Sequence, residues 1–281
     1  MGTGYFTQPS LCADRIVFVC EDDLWEVDSS GGQARRLTNS RSEIKTPYLD
    51  PSGKWIACCA KEEGDPDVYL MCEDDLWEVD SSGGQARRLT NSRSEIKTPY
   101  LDPSGKWIAC CAKEEGDPDV YLMSADGGPL TRLTWLNSVT RIVGWTPDGS
   151  SILFHSIHQA VHHRGSDAWL FKVGVDGGPV QRLPFGPAVS LNYQQKGPGI
   201  VLARNSMNNS RWKRYRGGMV GEIWVDEQGK GNFQRILNNL EGNPVCPYWL
   251  GKRIWFVSDH EGIGNLYSCT PKGKDLQRES F

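Results

Sequence analysis

The chain has 281 residues, enough for one or two domains with a sizeable core, and 38% of them are apolar. Its 31 basic and 35 acidic residues leave a formal charge of −4, which excludes a global field that would draw in nucleic acid or an anionic membrane. No segment reaches the roughly 18 apolar residues of a membrane span. Met1 to Ser10 lacks the apolar run of a secretory leader, so the expectation is a soluble, cytoplasmic chain.

The 31 Gly, 16 Pro and 11 Trp favour many short strands and tight turns over long helices. In chain order, strands are predicted at Arg15 to Val19, Leu24 to Ser29, Gln33 to Thr38, Lys45 to Asp50, Lys54 to Ala60 and Asp67 to Met71. Glu21-Asp22-Asp23, between two apolar strands, predicts a solvated hairpin, as does Glu73-Asp74-Asp75, and no calcium-loop spacing surrounds either. Then the chain repeats itself: Cys20 to Met71 recurs residue for residue as Cys72 to Met123, a copied block of 52 residues. Identity over that length marks a recent tandem duplication or a designed one.

Along the whole chain, the clearest unit runs from Tyr100 to Ala109, through Asp119 to Met123 and Asp126-Gly127-Gly128, to Thr131-Arg132-Leu133-Thr134. Similar endings stand at Ala34 to Thr38, Ala86 to Thr90, Val180 to Leu183, Phe233 to Ile236 and Asp275 to Arg278, so six units are predicted. Within them, Asp102-Pro103-Ser104-Gly105 and Thr146-Pro147-Asp148-Gly149 place Pro where φ is fixed and Gly where φ must be positive, as β-turns require. Each unit reads as a four-stranded antiparallel meander. Six of them predict an all-β chain in which residues 1–281 form a single six-bladed β-propeller, with Trp and Tyr filling the layers between blades.

The copied block disturbs this count. An ordinary unit such as Asn91 to Thr134 has 44 residues, and the excess of 8 in the block is about one strand and its turn. A fifth strand would reverse the exit direction of a meander, so one strand must yield. The reading adopted puts Asp67 to Met71 in the role of Arg15 to Val19, makes Lys54 to Ala60 innermost, and expels Lys45 to Asp50 as a loop. The rival keeps Lys45 to Asp50 inside and expels Asp67 to Asp75.

Nine Cys is an odd number, and Cys58-Cys59 and Cys110-Cys111 send alternate side chains to opposite faces of a strand, which predicts reduced, structural thiols. No Gly-x-Ser-x-Gly elbow is present. Ser258-Asp259-His260 holds the residue types of a hydrolytic relay, but neighbours on a strand point in alternating directions, so a polar strand exit is expected instead. His155, His158, His162 and His163, with Asp167, have imidazole and carboxylate at metal-binding spacing but no Cys pair, so no metal or cofactor is expected. Arg211-Trp212-Lys213-Arg214-Tyr215-Arg216 is the one basic-aromatic run, set in an otherwise acidic chain, and nucleic-acid binding is not expected of it.

The recurring Pro-x-Gly-Lys-x-Ile-Ala, Asp-x-Tyr-Leu-Met, Asp-Gly-Gly and Arg-Leu-Thr pattern resembles the blade motif of TolB-type, WD40-like and tricorn protease propellers. Three passages resemble the amino-terminal propeller of tricorn protease most closely: Asp14 to Glu26, Trp212 to Trp224, and Gly264 to Ser268 leading to Gly273-Lys274-Asp275-Leu276. The resemblance implies a six-bladed propeller without an interlocked closing blade, serving as a passage for peptides in a serine peptidase whose catalytic domains lie elsewhere. It also implies a further blade beyond Phe281 in the family pattern, so five units would remain here without the duplication. The family's paired arginines, proposed to hold a peptide's terminal carboxylate, fall before the strand Ile142 to Trp145. Here the short segment Leu136 to Arg141 offers Arg141. The candidates for facing a passing peptide are therefore Arg141, Arg211, Lys213, Arg214 and Arg216. The expected role is non-catalytic, with peptides or downstream protease domains as partners and a monomeric state as a fragment. The alternatives are a TolB-like protein-binding propeller and a designed duplication scaffold without biological activity.

Overall fold

The computed structural model describes residues 7–12, 14–39, 44–50, 52–60, 75–83, 87–90, 95–113, 116–160, 168–206, 215 and 217–280. The described residues form 24 strands and no helix. They make six four-stranded sheets in which each strand pairs with the next in the chain, the six blades of a β-propeller. The first blade holds β1 (Thr7–Cys12), β2 (Arg15–Cys20), β3 (Asp23–Asp28) and β4 (Arg35–Arg36), and the second β5 (Ile44–Leu49), β6 (Trp55–Ala60), β7 (Asp75–Asp80) and β8 (Arg87–Arg88). The third holds β9 (Ile96–Leu101), β10 (Trp107–Ala112), β11 (Asp119–Ser124) and β12 (Thr131–Arg132), and the fourth β13 (Thr140–Trp145), β14 (Ser151–Ser156), β15 (Trp169–Gly174) and β16 (Gly177–Pro187). The fifth holds β17 (Ser190–Tyr193), β18 (Ile200–Arg204), β19 (Glu222–Asp226) and β20 (Gln234–Ile236), and the sixth β21 (Val245–Leu250), β22 (Arg253–Ser258), β23 (Asn265–Cys269) and β24 (Gln277–Arg278). Two compact units are distinguished, Met1–Ile152 with Val173–Pro179 and Leu153–Lys172 with Val180–Phe281.

The turn between first and second strand is built by one aspartate. Asp102 accepts the N–H groups of Ser104, Lys106 and Trp107 at 2.8 to 3.0 Å, and Gly105 follows at φ 71°. Its copy Asp50 does the same for Ser52 and Trp55, with Gly53 at φ 72°. Proline explains where the first strands lie. In β1, β5, β9 and β21 the pairing register shifts at a bulge holding Gln8-Pro9, Thr46-Pro47, Thr98-Pro99 or Cys246-Pro247. A residue without an N–H is tolerated at a bulge on an edge strand, and all four strands are edges of their sheets.

The structure overturns the expectation that Lys45 to Asp50 is expelled. These residues form β5, the first strand of a regular second blade, paired to β6 through Lys45 with Cys59 and Leu49 with Ile56. Lys54 to Ala60 supplies the second strand, not the first, and the third strand is Asp75–Asp80; Asp67 to Met71 lies outside the described residues. Two sets of contacts hold β5: the Asp50 turn joins it to β6 as the Asp102 turn joins β9 to β10, and its Ile44 and Leu49 pack in one apolar layer with Val17 and Val19 of the first blade. The second blade then closes as its neighbours do, with the N–H of Leu24, Leu76 or Val120 donating to the hydroxyl of Thr38, Thr90 or Thr134, 14 residues on.

Apolar layers hold the blades of the first unit together. Val17, Val19 and Leu24 pack with Ile44, Ile56 and Cys58, whereas Ala57, Cys59 and Leu76 pack with Ile96, Ile108, Cys110 and Met123. Cys58 and Cys59 thus point to opposite neighbours, as strand alternation requires. Burial of an isoleucine such as Ile56 or Ile108 contributes about 1.5–3 kcal/mol. First strands also bond to each other: Leu49 N–H donates to Ser10 Oγ at 2.9 Å, and Trp145 Nε1 to the Tyr100 carbonyl at 2.9 Å. The eight described cysteines are thiols, seven of them buried.

Candidate functional site

The second residue of three successive first strands is a cation: Lys45 in β5, Lys97 in β9 and Arg141 in β13. Lys45 and Lys97 are copies of each other, so the duplication sets two lysines in a row before the arginine. At the Arg141 end an open pocket of about 180 Å³ lies between the starts of β9 and β13 and the end of β10. Glu95, Lys97, Cys111, Lys113, Asp117 and Arg141 line it, with Val139 on its apolar side.

Glu95 organises the cations. Its carboxylate takes Lys97 Nζ at 2.5 Å and Lys113 Nζ at 3.8 Å. Partial burial alone would raise its pKa, but the hydrogen bond from Lys97 and the charges of Lys97, Lys113 and Lys45 outweigh it and hold Glu95 below the usual glutamate range. Arg141 is exposed and, among the described residues, is in no ion pair. Cys111 is 1% exposed, and burial pushes its thiol up to about 12 despite bonds with Thr98 and the Ile142 N–H and the nearby charge of Arg141. A thiol so protonated is no nucleophile at neutral pH. Among the described residues the pocket sets Lys97, Lys113 and Arg141 against the carboxylates of Glu95 and Asp117, and a guanidinium is a group suited to a bidentate carboxylate.

The family of the "Tricorn protease N-terminal beta propeller domain" matches residues 3–73 and again 70–281, the second match beginning at the joint between the two copies. The chain belongs to the tricorn protease N-terminal β-propeller family. Tricorn protease homolog 1 of Streptomyces coelicolor is 38% identical over 216 residues, which are 76% of this chain and 20% of that protein. The chain thus spans about a fifth of the length of that relative. A protein of Sulfurisphaera tokodaii named as a tricorn-like protease N-terminal subunit is 28% identical over 198 residues, 68% of this chain and 91% of that protein. Among solved structures, tricorn protease aligns over 98% of this chain and 22% of its own, at 25% identity and a TM-score of 0.51.

Of the five candidate residues, the structure of this tricorn propeller places Arg141; Arg211, Lys213, Arg214 and Arg216 lie outside the described residues. The partners Lys97, Lys113 and Glu95 went unnoticed in the sequence, where they stand 44 and 28 residues before Arg141 or further. Lys97 had a signal, the repeated second position of the first strand, whereas Glu95 and Lys113 lie just outside β9 and β10 and had none.

One other expectation changes. Asp23 was grouped with a solvated hairpin, but it is buried, forms an ion pair with Arg36 and accepts the Thr38 hydroxyl at 2.8 Å. Only Glu21 and Asp22 make the exposed turn, at φ 51° and 64°. At Ser258-Asp259-His260 the side chains alternate as expected of a strand, so Ser258 and His260, two apart, share a side: His260 Nδ1 lies 3.1 Å from Ser258 Oγ. Asp259 instead accepts the Asn243 N–H at 2.8 Å, and Ser258 is fully buried, so no substrate reaches that hydroxyl. His155 is buried in β14 and His158 packs edge-on against Phe171; His162, His163 and Asp167 lie outside the described residues. Among the described residues no cluster of three His, Cys, Asp or Glu is arranged to hold a metal.

Proposed function

We propose that this propeller serves a tricorn-type peptidase as the module through which peptides pass, with Arg141 meeting the terminal carboxylate of a peptide. The observation that carries the reading is the exposed Arg141 guanidinium at the rim of an open pocket whose other cations are braced by Glu95. The pocket brings no nucleophile to a base, so its role is to hold and hand on a peptide while catalysis belongs to the rest of the peptidase. The Sulfurisphaera relative, named as the N-terminal subunit of a tricorn-like protease and covered over 91% of its length, supports a propeller that works as a module of such a peptidase.

The test compares one fluorescent peptide with a free and with an amidated C-terminus, titrated with the whole chain. The free acid should bind tighter by about threefold to tenfold, the range of one charge-assisted contact at a half-exposed site. Arg141→Gln should abolish that difference. Equal binding of acid and amide by the unaltered chain overturns the proposal.

A further inference from the structure

The turns that join first to second and third to fourth strands in the fifth and sixth blades are 194–199, 227–233, 251–252 and 270–276, all within the second compact unit. Lys196, Lys230, Lys252, Lys272 and Lys274 stand in them, every one exposed and, among the described residues, in no ion pair. Close contacts gather them on one surface. A Cβ on Gly229 would run into the Pro198 carbonyl and one on Gly199 into the Trp249 ring, so the turns of Lys196, Lys230 and Lys252 adjoin. Arg253 ties the last turn to its neighbour, donating to Asp275 Oδ2 at 2.7 Å and to the Asp275 carbonyl at 2.6 Å.

Turn geometry does not call for these lysines. In the first unit Asp28, Asp80 and Asp148 close the corresponding turns by accepting N–H groups two residues on. In the second unit Gln194, Asp226 and Thr270 close theirs by accepting the N–H groups of Gly199, Gly231 and Lys274, and no lysine ammonium takes part. Nor do carboxylates neutralise them: Asp226 is buried in its turn bonds and Asp275 is taken by Arg253, which leaves Glu227. A chain of formal charge −4 thus carries a local surface of the opposite sign. We infer that these turns are a docking surface for an acidic segment of a partner protein. Lysine offers a mobile point charge rather than a planar fork, which suits carboxylates spread along an extended chain. Nucleic-acid bases would need rings to stack on, and the one aromatic side chain in the turns, Phe233, is packed edge-on against Phe185. The inference goes beyond the peptide-passage reading, whose pocket lies in the first unit.

The experiment titrates the whole chain against a fluorescent oligoglutamate, the oligoglutamine of the same length and an oligothymidylate of the same charge. Both peptides are amidated, so neither offers Arg141 a terminal carboxylate. The oligoglutamate should bind about tenfold tighter than the oligoglutamine, as several exposed charge contacts imply, and added salt should erode the difference by screening. Lys196→Gln with Lys252→Gln and, separately, Lys272→Gln with Lys274→Gln should each weaken oligoglutamate binding by about threefold to tenfold. Lys106→Gln, in a turn of the first unit, should leave it unchanged. Thermal unfolding shows whether each variant is folded, and the two double variants guard against the loss of one. Equal binding of the two peptides overturns the inference, as does oligoglutamate binding that neither double variant weakens. Oligothymidylate bound as tightly as oligoglutamate overturns it as well, because the surface would then take phosphates as readily as a protein segment.

Discussion

Thr134 closes the third blade on Asp119: its hydroxyl donates to Asp119 Oδ1 at 2.7 Å and accepts the Val120 N–H at 3.0 Å. Asp119 also takes Arg132 at 2.6 Å and the Leu136 N–H at 2.9 Å, so a buried carboxylate is fully partnered. The sixth blade does the same with Ser280, which accepts the Leu266 N–H and bonds Asn265. This is the physical content of the recurring Arg-Leu-Thr ending. Thr134→Val leaves a buried N–H and a carboxylate each short of a partner and should cost about 1–3 kcal/mol in urea unfolding. Thr90→Val should cost a similar amount. A silent Thr90→Val would remove the Leu76–Thr90 bond from the account of this blade's stability.

The copied tryptophans should part company. Trp25 Nε1 donates to the Cys20 carbonyl at 3.1 Å, across a two-residue hairpin. Trp77, its copy, has a buried indole N–H with no acceptor among the described residues. Trp25→Phe should lose about 1 kcal/mol, whereas Trp77→Phe should be neutral or stabilising, because an unpaired buried donor is removed. Equal losses in urea unfolding would contradict the contrast.

Acid should weaken the first blade through Glu26. Burial opposes its ionisation, but hydrogen bonds from Arg15 and Arg35 and their charges prevail and hold its pKa below the usual range. The folded pKa lies below the unfolded one, near about 4.3. Its stabilisation is therefore present above that value and lost as pH falls through the folded pKa. Glu26→Gln should flatten the acid limb of a melting-temperature profile, and an unchanged limb would remove Glu26 from the account.

Two glycines three residues apart should respond differently to alanine. A Cβ on Gly221 would sit 2.1 Å from the Pro244 carbonyl oxygen, and the Gly221 N–H is held by Asn243 Oδ1 at 2.7 Å. A Cβ on Gly218 would meet nothing within 4 Å. Gly221→Ala should cost about 1–3 kcal/mol by overpacking, and Gly218→Ala should lie within about 0.5 kcal/mol of the parent. Similar melting temperatures for the two variants would refute the close approach.

By itself the sequence determined the blades: six endings, Pro-x-Gly turns and alternating apolar positions were enough, because each depends on residues within a strand or a turn of one another. The same local logic showed that Cys58 and Cys59 face opposite ways. Identical strands carry identical local preferences, so nothing within Lys45 to Asp50 or Asp67 to Met71 could say which of them the second blade keeps. The observed choice rests on contacts with the first blade, where the Leu49 N–H meets Ser10 Oγ and Ile44 and Leu49 pack with Val17 and Val19. Burial of Asp23 likewise depended on Arg36 and Thr38 arriving across the sheet. The pocket is more remote still, since Glu95, Lys113 and Arg141 come from three chain segments that only the packing of neighbouring blades brings together.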